Sequence, residues 1–347
     1  MLQCGIIGCG RICPNHFVTM NQHPDINIKW LCDLDVDKAV EFQKNAPNAR
    51  CTYLAADVLE DPEVDFVHVL TDHAAHFTVA MTALMAGKHV IVEKPFTLNV
   101  AEAQKLVDTA KEKKLHLICI SQHRFDPMFN RIREIVTAGK LGKLLLINGR
   151  LLCGRTAEYY SESYWHGRRL LDGGSALINQ GYHIFDIILS MGGKPESLHA
   201  FADRRKHVDL IETEDTISIL YRLETGAIGS LNITSGLIKE EWDAKVEIVG
   251  TEGRIQFDLE SPHKLPVFDV PDMQPEDILE NVDRQYNNVG IGYYGNLHDI
   301  QLKDFVEVLK TNKEPAFHPQ NAVNTLDAIM QAYRSAEENG YKWGSLY

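Results

Sequence analysis

The sequence predicts an α/β protein in two parts: a doubly wound parallel sheet, then an α+β domain built on an open, mainly antiparallel sheet. Three observations predict it. Up to about residue 122, short and nearly continuous apolar runs alternate with helical patterns, as in a parallel sheet covered on both faces. Beyond that point the runs lengthen, become rich in β-branched residues and are joined by tight glycine turns, as hairpins are. At 347 residues the chain is also longer than a single core usually serves. The expected domains are 1–122 and 123–347.

The elements follow in order. Residues 2–7 read as a buried strand, and Gly8-Cys9-Gly10 as the turn into a helix that ends near Met20. A second strand spans 28–32, with Asp35 as N-cap of a helix reaching Lys44. Strands are expected at 64–70, 89–92 and 115–121. The helix between the first two of these stops at Gly87, and Asn99 with Glu102 forms a capping box for the next helix, which ends near Lys114. In the second part a helix runs from Pro127 to about Ala138. Longer strands follow at 143–153, 197–203, 215–223 and 227–234, with a further run over 245–258 that turns at Gly250-Thr251-Glu252-Gly253. Residues 175–189 read as one buried helix, 259–295 as a long loop, and 297–310 and 320–338 as two amphipathic helices.

Composition excludes several classes. Charged residues number 35 Lys+Arg against 48 Asp+Glu, a net charge of −13 without a basic stripe, which argues against nucleic acid as a partner. No apolar run reaches membrane-spanning length, and the first residues carry no basic and apolar leader pattern. Seven cysteines are scattered without a CxxC pair, so the expectation is reduced thiols in a cytoplasmic protein.

Gly8-Cys9-Gly10-Arg11-Ile12-Cys13 follows a strand and opens a helix. The first glycine permits the tight turn, and the second lets backbone N–H groups approach a pyrophosphate at the positive end of the helix. Asp33 ends the second strand, where its carboxylate would accept from ribose hydroxyls. A helix-capping acid is the other reading of Asp33, and its place at the strand end favours the ribose. With no Lys or Arg beside it, NAD is expected rather than NADP. At the end of the fourth strand, Glu93-Lys94-Pro95 points a cation toward the place where ligands bind in such sheets. From the residues alone, Lys94 could equally be a surface lysine.

The GxG turn, the segment "AGKHVIVEKP" (86–95) and the later "GG…NQGYHIFD" (173–186) together resemble the Gfo/Idh/MocA oxidoreductases. The resemblance covers most of the chain, including 132–145 and 304–315. It implies an N-terminal Rossmann domain, a C-terminal α/β domain whose open sheet mediates homodimer or homotetramer contacts, and a cis Lys94–Pro95 bond. It also implies that Lys94 lies beside the nicotinamide and the substrate. Oxidising a secondary alcohol removes a hydride and a proton. Imidazole suits the proton, which assigns it to His183, with Lys94 stabilising charge on the oxygen. The family often has Asp where this chain has Asn179, so Asn179 can orient a sugar hydroxyl but cannot titrate, and proton transfer falls to His183 or to Lys94. His183 read alone would be a core histidine on an apolar helix; the motif makes it catalytic. The Asn form resembles the branch acting on nucleotide-linked amino sugars.

Thr71 and His76 match the family's Thr-Pro-Asn-x-x-His pattern and are expected on the cofactor side with Glu93 and Gln122; Asp72 and His73 depart from it. A metal held by Asp72, His73 and His76 is conceivable, but helix capping is preferred and no metal is expected. Arg124 is expected to bind a polar substrate group or to pair with Asp126. Tyr160, Trp165 and Arg168, in an aromatic and basic loop, suit a sugar ring and an anion, with ordinary loop packing as the alternative. Tyr293 and Tyr294 are weaker candidates for the same role.

The function expected is NAD(H)-dependent oxidoreduction of a secondary hydroxyl or ketone on a sugar, cyclitol or nucleotide sugar. It requires an ammonium from the first half and an imidazole from the second to act on one dinucleotide ring. Two alternatives stand beside it: an NAD-dependent glycoside hydrolase using transient oxidation, and a non-catalytic NAD-sensing or partner-binding protein.

Overall fold

The structure, a computed structural model, describes residues 1–279 and 292–345. The chain divides into two compact units, Met1–Gln122 with Gln285–Val323, and His123–Arg284 with Asn324–Tyr347. The division falls after Gln122. Among the described residues, the helix Gly292–Thr311 belongs to the first unit, because its apolar side joins that unit's core.

The first unit is built on a six-stranded parallel sheet of order β3-β2-β1-β4-β5-β6. Its strands are β1 (Leu2–Ile7), β2 (Ile26–Cys32), β3 (Arg50–Thr52), β4 (Phe66–Val69), β5 (His89–Val92) and β6 (Leu117–Cys119). The helices are α1 (Cys13–Gln22), α2 (Val36–Gln43), α3 (Ala55–Leu59), α4 (His76–Met85) and α5 (Val100–Lys113). Strand order reverses between β1 and β4, so the crevice at their carboxyl ends is the ligand position of a doubly wound sheet. β3 and α3 were not expected; three residues of Arg-Cys-Thr carry no usable periodicity. Asn99 caps α5 as expected, accepting from Ala101 and Glu102, but its own N–H donates to the Thr97 hydroxyl, so the box closes through Thr97 and not Glu102. Cys4, Ile6, Phe17, Met20, Phe66 and Ile118 form the core together with Leu302, Phe305 and Val306 from the helix Gly292–Thr311. Each such buried side chain contributes roughly 1.5–3 kcal/mol.

The second unit is built on a seven-stranded sheet of order β13-β12-β11-β7-β10-β9-β8. It opens with α6 (Pro127–Thr137), capped by Asp126 accepting from the Phe129 N–H. Then come β7 (Leu144–Cys153), α7 (Ala157–Ser161), α8 (Arg169–Asp172) and α9 (Tyr182–Gly192). The remaining elements are β8 (Pro195–Asp203), β9 (Thr216–Leu223), β10 (Ile228–Thr234), β11 (Trp242–Gly250), β12 (Arg254–Asp258), β13 (Val267–Asp269) and α10 (Pro275–Leu279). The pairing is antiparallel except between β7 and β10, which is parallel. β13 and α10 lie where a loop was expected. The helix Gly292–Thr311 is α11, and the unit boundary falls inside α12 (Pro319–Glu338).

One face of this sheet is covered by α9. Gly149 on β7 permits the contact, since a Cβ there would meet Ile188 at 2.7 Å and Ile184 at 3.4 Å. The predicted single helix over 175–189 is two pieces: a π-helical turn Ala176–Gln180, then α9. On the other face the strands alternate outward, leaving Phe201, Leu220 and Ile228 exposed.

Candidate functional site

At the end of β1 the backbone of Gly8 takes φ +101°, which an L side chain rarely adopts. A Cβ at Gly8 would stand 2.5 Å from the carbonyl carbon and oxygen of Leu70, so the exits of β1 and β4 touch here. At Gly10 the same construction meets nothing within 4 Å. That open space, ahead of the N-terminus of α1, is what a pyrophosphate would use. Ile12 is the N-cap of α1, Arg11 beside it is exposed, and Cys13 is buried. Asp33 braces the turn: one oxygen accepts from the Cys9 N–H at 2.7 Å and the other from the Asp35 N–H at 2.9 Å. A carboxylate has about four acceptor positions, so two remain for ribose hydroxyls. The donor set and the glycine cradle fit NAD.

Beyond β4, the Thr71 hydroxyl donates to the Asp72 carbonyl, and Asp72 caps the next turn by accepting from the Ala75 N–H at 3.1 Å. His76 follows as the first residue of α4. It is fully buried, with Nδ1 2.7 Å from the Pro95 carbonyl and Nε2 3.2 Å from the Thr71 carbonyl. Burial and the neighbouring His73 push its pKa down to about 4, so the ring is neutral and the shorter contact assigns the proton to Nδ1. His76 therefore holds the turn after β5. The Lys94–Pro95 bond is cis, and Lys94 is half-buried. Its N–H donates to the Glu93 carboxylate at 2.9 Å. Gln122 is buried in the 3-10 turn Gln122–Phe125. Among the described residues, the side chains close enough to share an ion are not Asp72, His73 and His76 but His16, Glu93 and His298, which the sequence reading passed over.

In the second unit, Asn179 lies on the π-helical turn and His183 in the first turn of α9, with Gly181 between them. They are not one α-helical face. The Asn179 amide donates to Asp172 at 3.1 Å, and Asp172 also accepts from the Gly167 N–H at 2.8 Å. Asp172, buried and unpredicted, thus orients the residue standing where the family often has a carboxylate. The His183 ring lies 4.9 Å from that of His123, whose Nε2 is 3.7 Å from Glu260. Burial and the charges of Asp258 and Asp126 push Glu260 up to about 7.

The Arg124 guanidinium pairs with Asp186 and not with Asp126. It makes two 2.7 Å bonds to Asp186, which is fully buried and also accepts from Thr325, while Asp126 is occupied as a cap. A buried carboxylate needs such a partner, and nothing in the local sequence announced a pairing across 62 positions. Tyr160 is buried, with its hydroxyl 3.2 Å from that of Ser235. Trp165 is half-buried beside His166, and Arg168 is half-exposed, 3.8 Å from Glu212. The side chains of Tyr293 and Tyr294 fall outside the described residues.

The π-helical turn is anchored by Glu214, fully buried, which accepts from the N–H groups of Ser175 and Leu177 and from the Tyr333 hydroxyl. Burial raises its pKa from 4.5 to about 7 against the pull of those donors. Between these two values the folded chain holds a proton that the unfolded chain has released. Stability therefore falls as pH rises across that window, by about 1.4 kcal/mol per pH unit. Thermal melts of Glu214→Gln should decline less between pH 5 and 8 than those of the unsubstituted protein. Parallel curves would rule Glu214 out as the source.

Comparison with known proteins decides the family. The model described as "Oxidoreductase family, NAD-binding Rossmann fold" matches residues 2–120, and that of the GFO/IDH/MocA C-terminal domain matches 129–256. The chain belongs to the Gfo/Idh/MocA oxidoreductases. Members relevant to it include the myo-inositol 2-dehydrogenase of Thermotoga maritima, 25% identical over 345 residues and 97% of each chain. The WlbA dehydrogenase from Bordetella pertussis, solved with NADH and UDP-GlcNAcA, superposes with a TM-score of 0.88 at 24% identity, covering 100% of this chain and 98% of that one. Levoglucosan dehydrogenase, solved with NADH and levoglucosan, gives 0.84 at 22% identity over 98% of each chain. This Gfo/Idh/MocA protein is an NAD-dependent oxidoreductase with a Rossmann domain. Among its described residues no helix is long and apolar enough to cross a membrane.

Proposed function

We propose that this oxidoreductase interconverts a secondary hydroxyl and a ketone on a polyhydroxylated ring (a sugar, a cyclitol or a nucleotide sugar). The observation that carries the reading is Lys94, set just past the carboxyl end of β5 on a turn whose two peptide groups are held by Glu93 and His76. Bound NAD supplies the hydride acceptor. Gly8, Gly10, Arg11 and Ile12 receive the pyrophosphate, Asp33 the adenosine ribose, and Thr71, Glu93, Lys94 and Gln122 shape the nicotinamide side. The Lys94 ammonium donates to the reacting oxygen and lowers the cost of charge there as the hydroxyl proton leaves. His183 accepts that proton during oxidation and returns it during reduction. Asn179, its amide held by Asp172, orients a ring hydroxyl. Trp165 and Arg168 are proposed at the edge of the substrate. The relative spanning 97% of the chain is named for inositol, which supports a polyol ring.

Absorbance at 340 nm, followed with polyols, aldoses, uronates and UDP-sugars in the presence of NAD, tests this. Net NADH with at least one of them is expected. Aryl-glycoside cleavage without net NADH would replace the reading with hydrolysis by transient oxidation.

The apolar face bearing Phe201 (59% exposed), Leu220 (61%) and Ile228 (46%) is proposed to pair with a second copy. Light scattering should then return a multiple of 39.2 kDa; a mass equal to it would end that proposal. The seven free cysteines support a reducing, cytoplasmic setting.

A further inference from the structure

Four buried side chains of the first unit, three on different elements and Glu93 just past the end of β5, form one chain of contacts. His16 of α1 places Nδ1 2.9 Å from Nδ1 of His68 on β4, and Nε2 2.9 Å from Glu93 Oε1. His298 of α11 reaches the same Glu93 oxygen with its Nε2 at 3.1 Å. The other oxygen, Oε2, accepts from the Lys94 N–H. None of the four is more than 5% exposed.

The protons can be assigned. A carboxylate only accepts, so both Nε2 atoms that face Oε1 carry hydrogen. Burial alone would raise the pKa of Glu93, but the bonds from His16 and His298 hold it well below the usual carboxylate range. Burial lowers the pKa of His16 and takes that of His68 well below its usual value, so both rings are neutral. His68 then donates from Nδ1 to the Nδ1 lone pair of His16, and its Nε2, buried, has no hydrogen-bond partner among the described residues. With those two rings neutral, Glu93 carries its charge against the peptide that bears Lys94. His76, bonded to the Pro95 carbonyl, holds the other side of the same turn.

A network placed there only to join helices to a sheet would not need to end on the Lys94 peptide. We infer that His16 and His298 are positioning residues, which by donating to Glu93 fix the carboxylate that holds the Lys94 backbone and thereby aim the ammonium. The inference rests on the reading of Lys94 given above. The competing occupant is a divalent cation, because the three ligand atoms lie within 4.8 Å of one another. Hydrogen bonds of 2.9 and 3.1 Å to a shared oxygen need no ion.

The test compares His298→Gln and His16→Gln, whose amide reproduces a donor at the Nε2 position, with His298→Leu and His16→Leu, which keep bulk and lose the donor. Misaiming a catalytic group by about 1 Å costs on the order of 10²-fold, so the Leu variants should lose at least ~10-fold in kcat. Their KM for NAD should stay within about two-fold, and Gln should recover most of the loss. Where a Leu variant fails to fold, Asn, which shortens the donor's reach, replaces it and should fall with Leu. Equal kcat in Leu and Gln variants would reduce the network to packing, and equal loss in both would remove the hydrogen bond as the cause. Stoichiometric zinc in the purified protein, lost in both variants, would assign a metal site and overturn the inference. Lys94→Ala separates the two levels. If it keeps turnover, the functional reading fails; if it loses turnover and His298→Leu does not, only this inference fails.

Discussion

Lys94→Ala and His183→Ala are each expected to lower kcat by at least ~10²-fold, because a positioned acid–base group typically contributes 10² to 10⁴. Fluorescence titration should show NADH binding within a few-fold of the unsubstituted protein for both, since neither side chain belongs to the glycine turn or to the Asp33 brace. The two losses differ in kind. Without Lys94, charge developing on the substrate oxygen meets no cation, so both directions suffer at every pH. Without His183, oxidation lacks its proton acceptor, and high pH should restore part of the rate as hydroxide removes the proton. Turnover near the unsubstituted rate in either variant removes that residue from the chemistry.

Gly8→Ala carries the next largest effect. Holding alanine at φ +101° costs roughly 1–3 kcal/mol. The new Cβ would also stand 2.5 Å from the Leu70 carbonyl, which cannot withdraw easily because the Leu70 N–H is bonded to Ile7 at 2.8 Å. Overpacking of this sort adds about 1–3 kcal/mol. Differential melts should show a large drop in Tm, and NADH affinity should fall at least ~10-fold as the turn deforms. Gly10→Ala is the control: open space surrounds its Cβ, so stability should change by no more than about 0.5 kcal/mol while NADH binding weakens. Equal Tm losses in the two variants would contradict the geometry.

These effects were legible in sequence to different degrees. The strand-turn-helix at Gly8 and the acid at Asp33 are local, lie at the two strand ends of one βαβ unit, and are marked by residue order and spacing. Five of the six strands of the first unit were equally readable, because a parallel strand buried on both faces is a continuous apolar run, whereas the three residues of β3 are not. What could not be read is what depends on distant pairing. Glu93 finds His16 across 77 positions and His298 across 205. A histidine at position 16 among Phe17 and Met20 looks like any polar interruption of a buried helix. The pairing of Arg124 with Asp186 was hidden as well, because Asp186 sits inside an apolar helix where a lone carboxylate reads as an irregularity. The break at Gly181 was hidden for another reason. A π-helical turn has nearly the apolar spacing of an α-helix, and only the capture of its N–H groups by Glu214 and of Asn179 by Asp172 reveals it.

The most direct test of the central claim follows an isotope. With a substrate from the 340 nm screen, deuterated at the carbon that bears the reacting hydroxyl, the reduced nicotinamide should carry one deuterium per ketone formed, and NADH formation should slow relative to the protiated substrate. Product released with no deuterium in the nicotinamide would contradict the account.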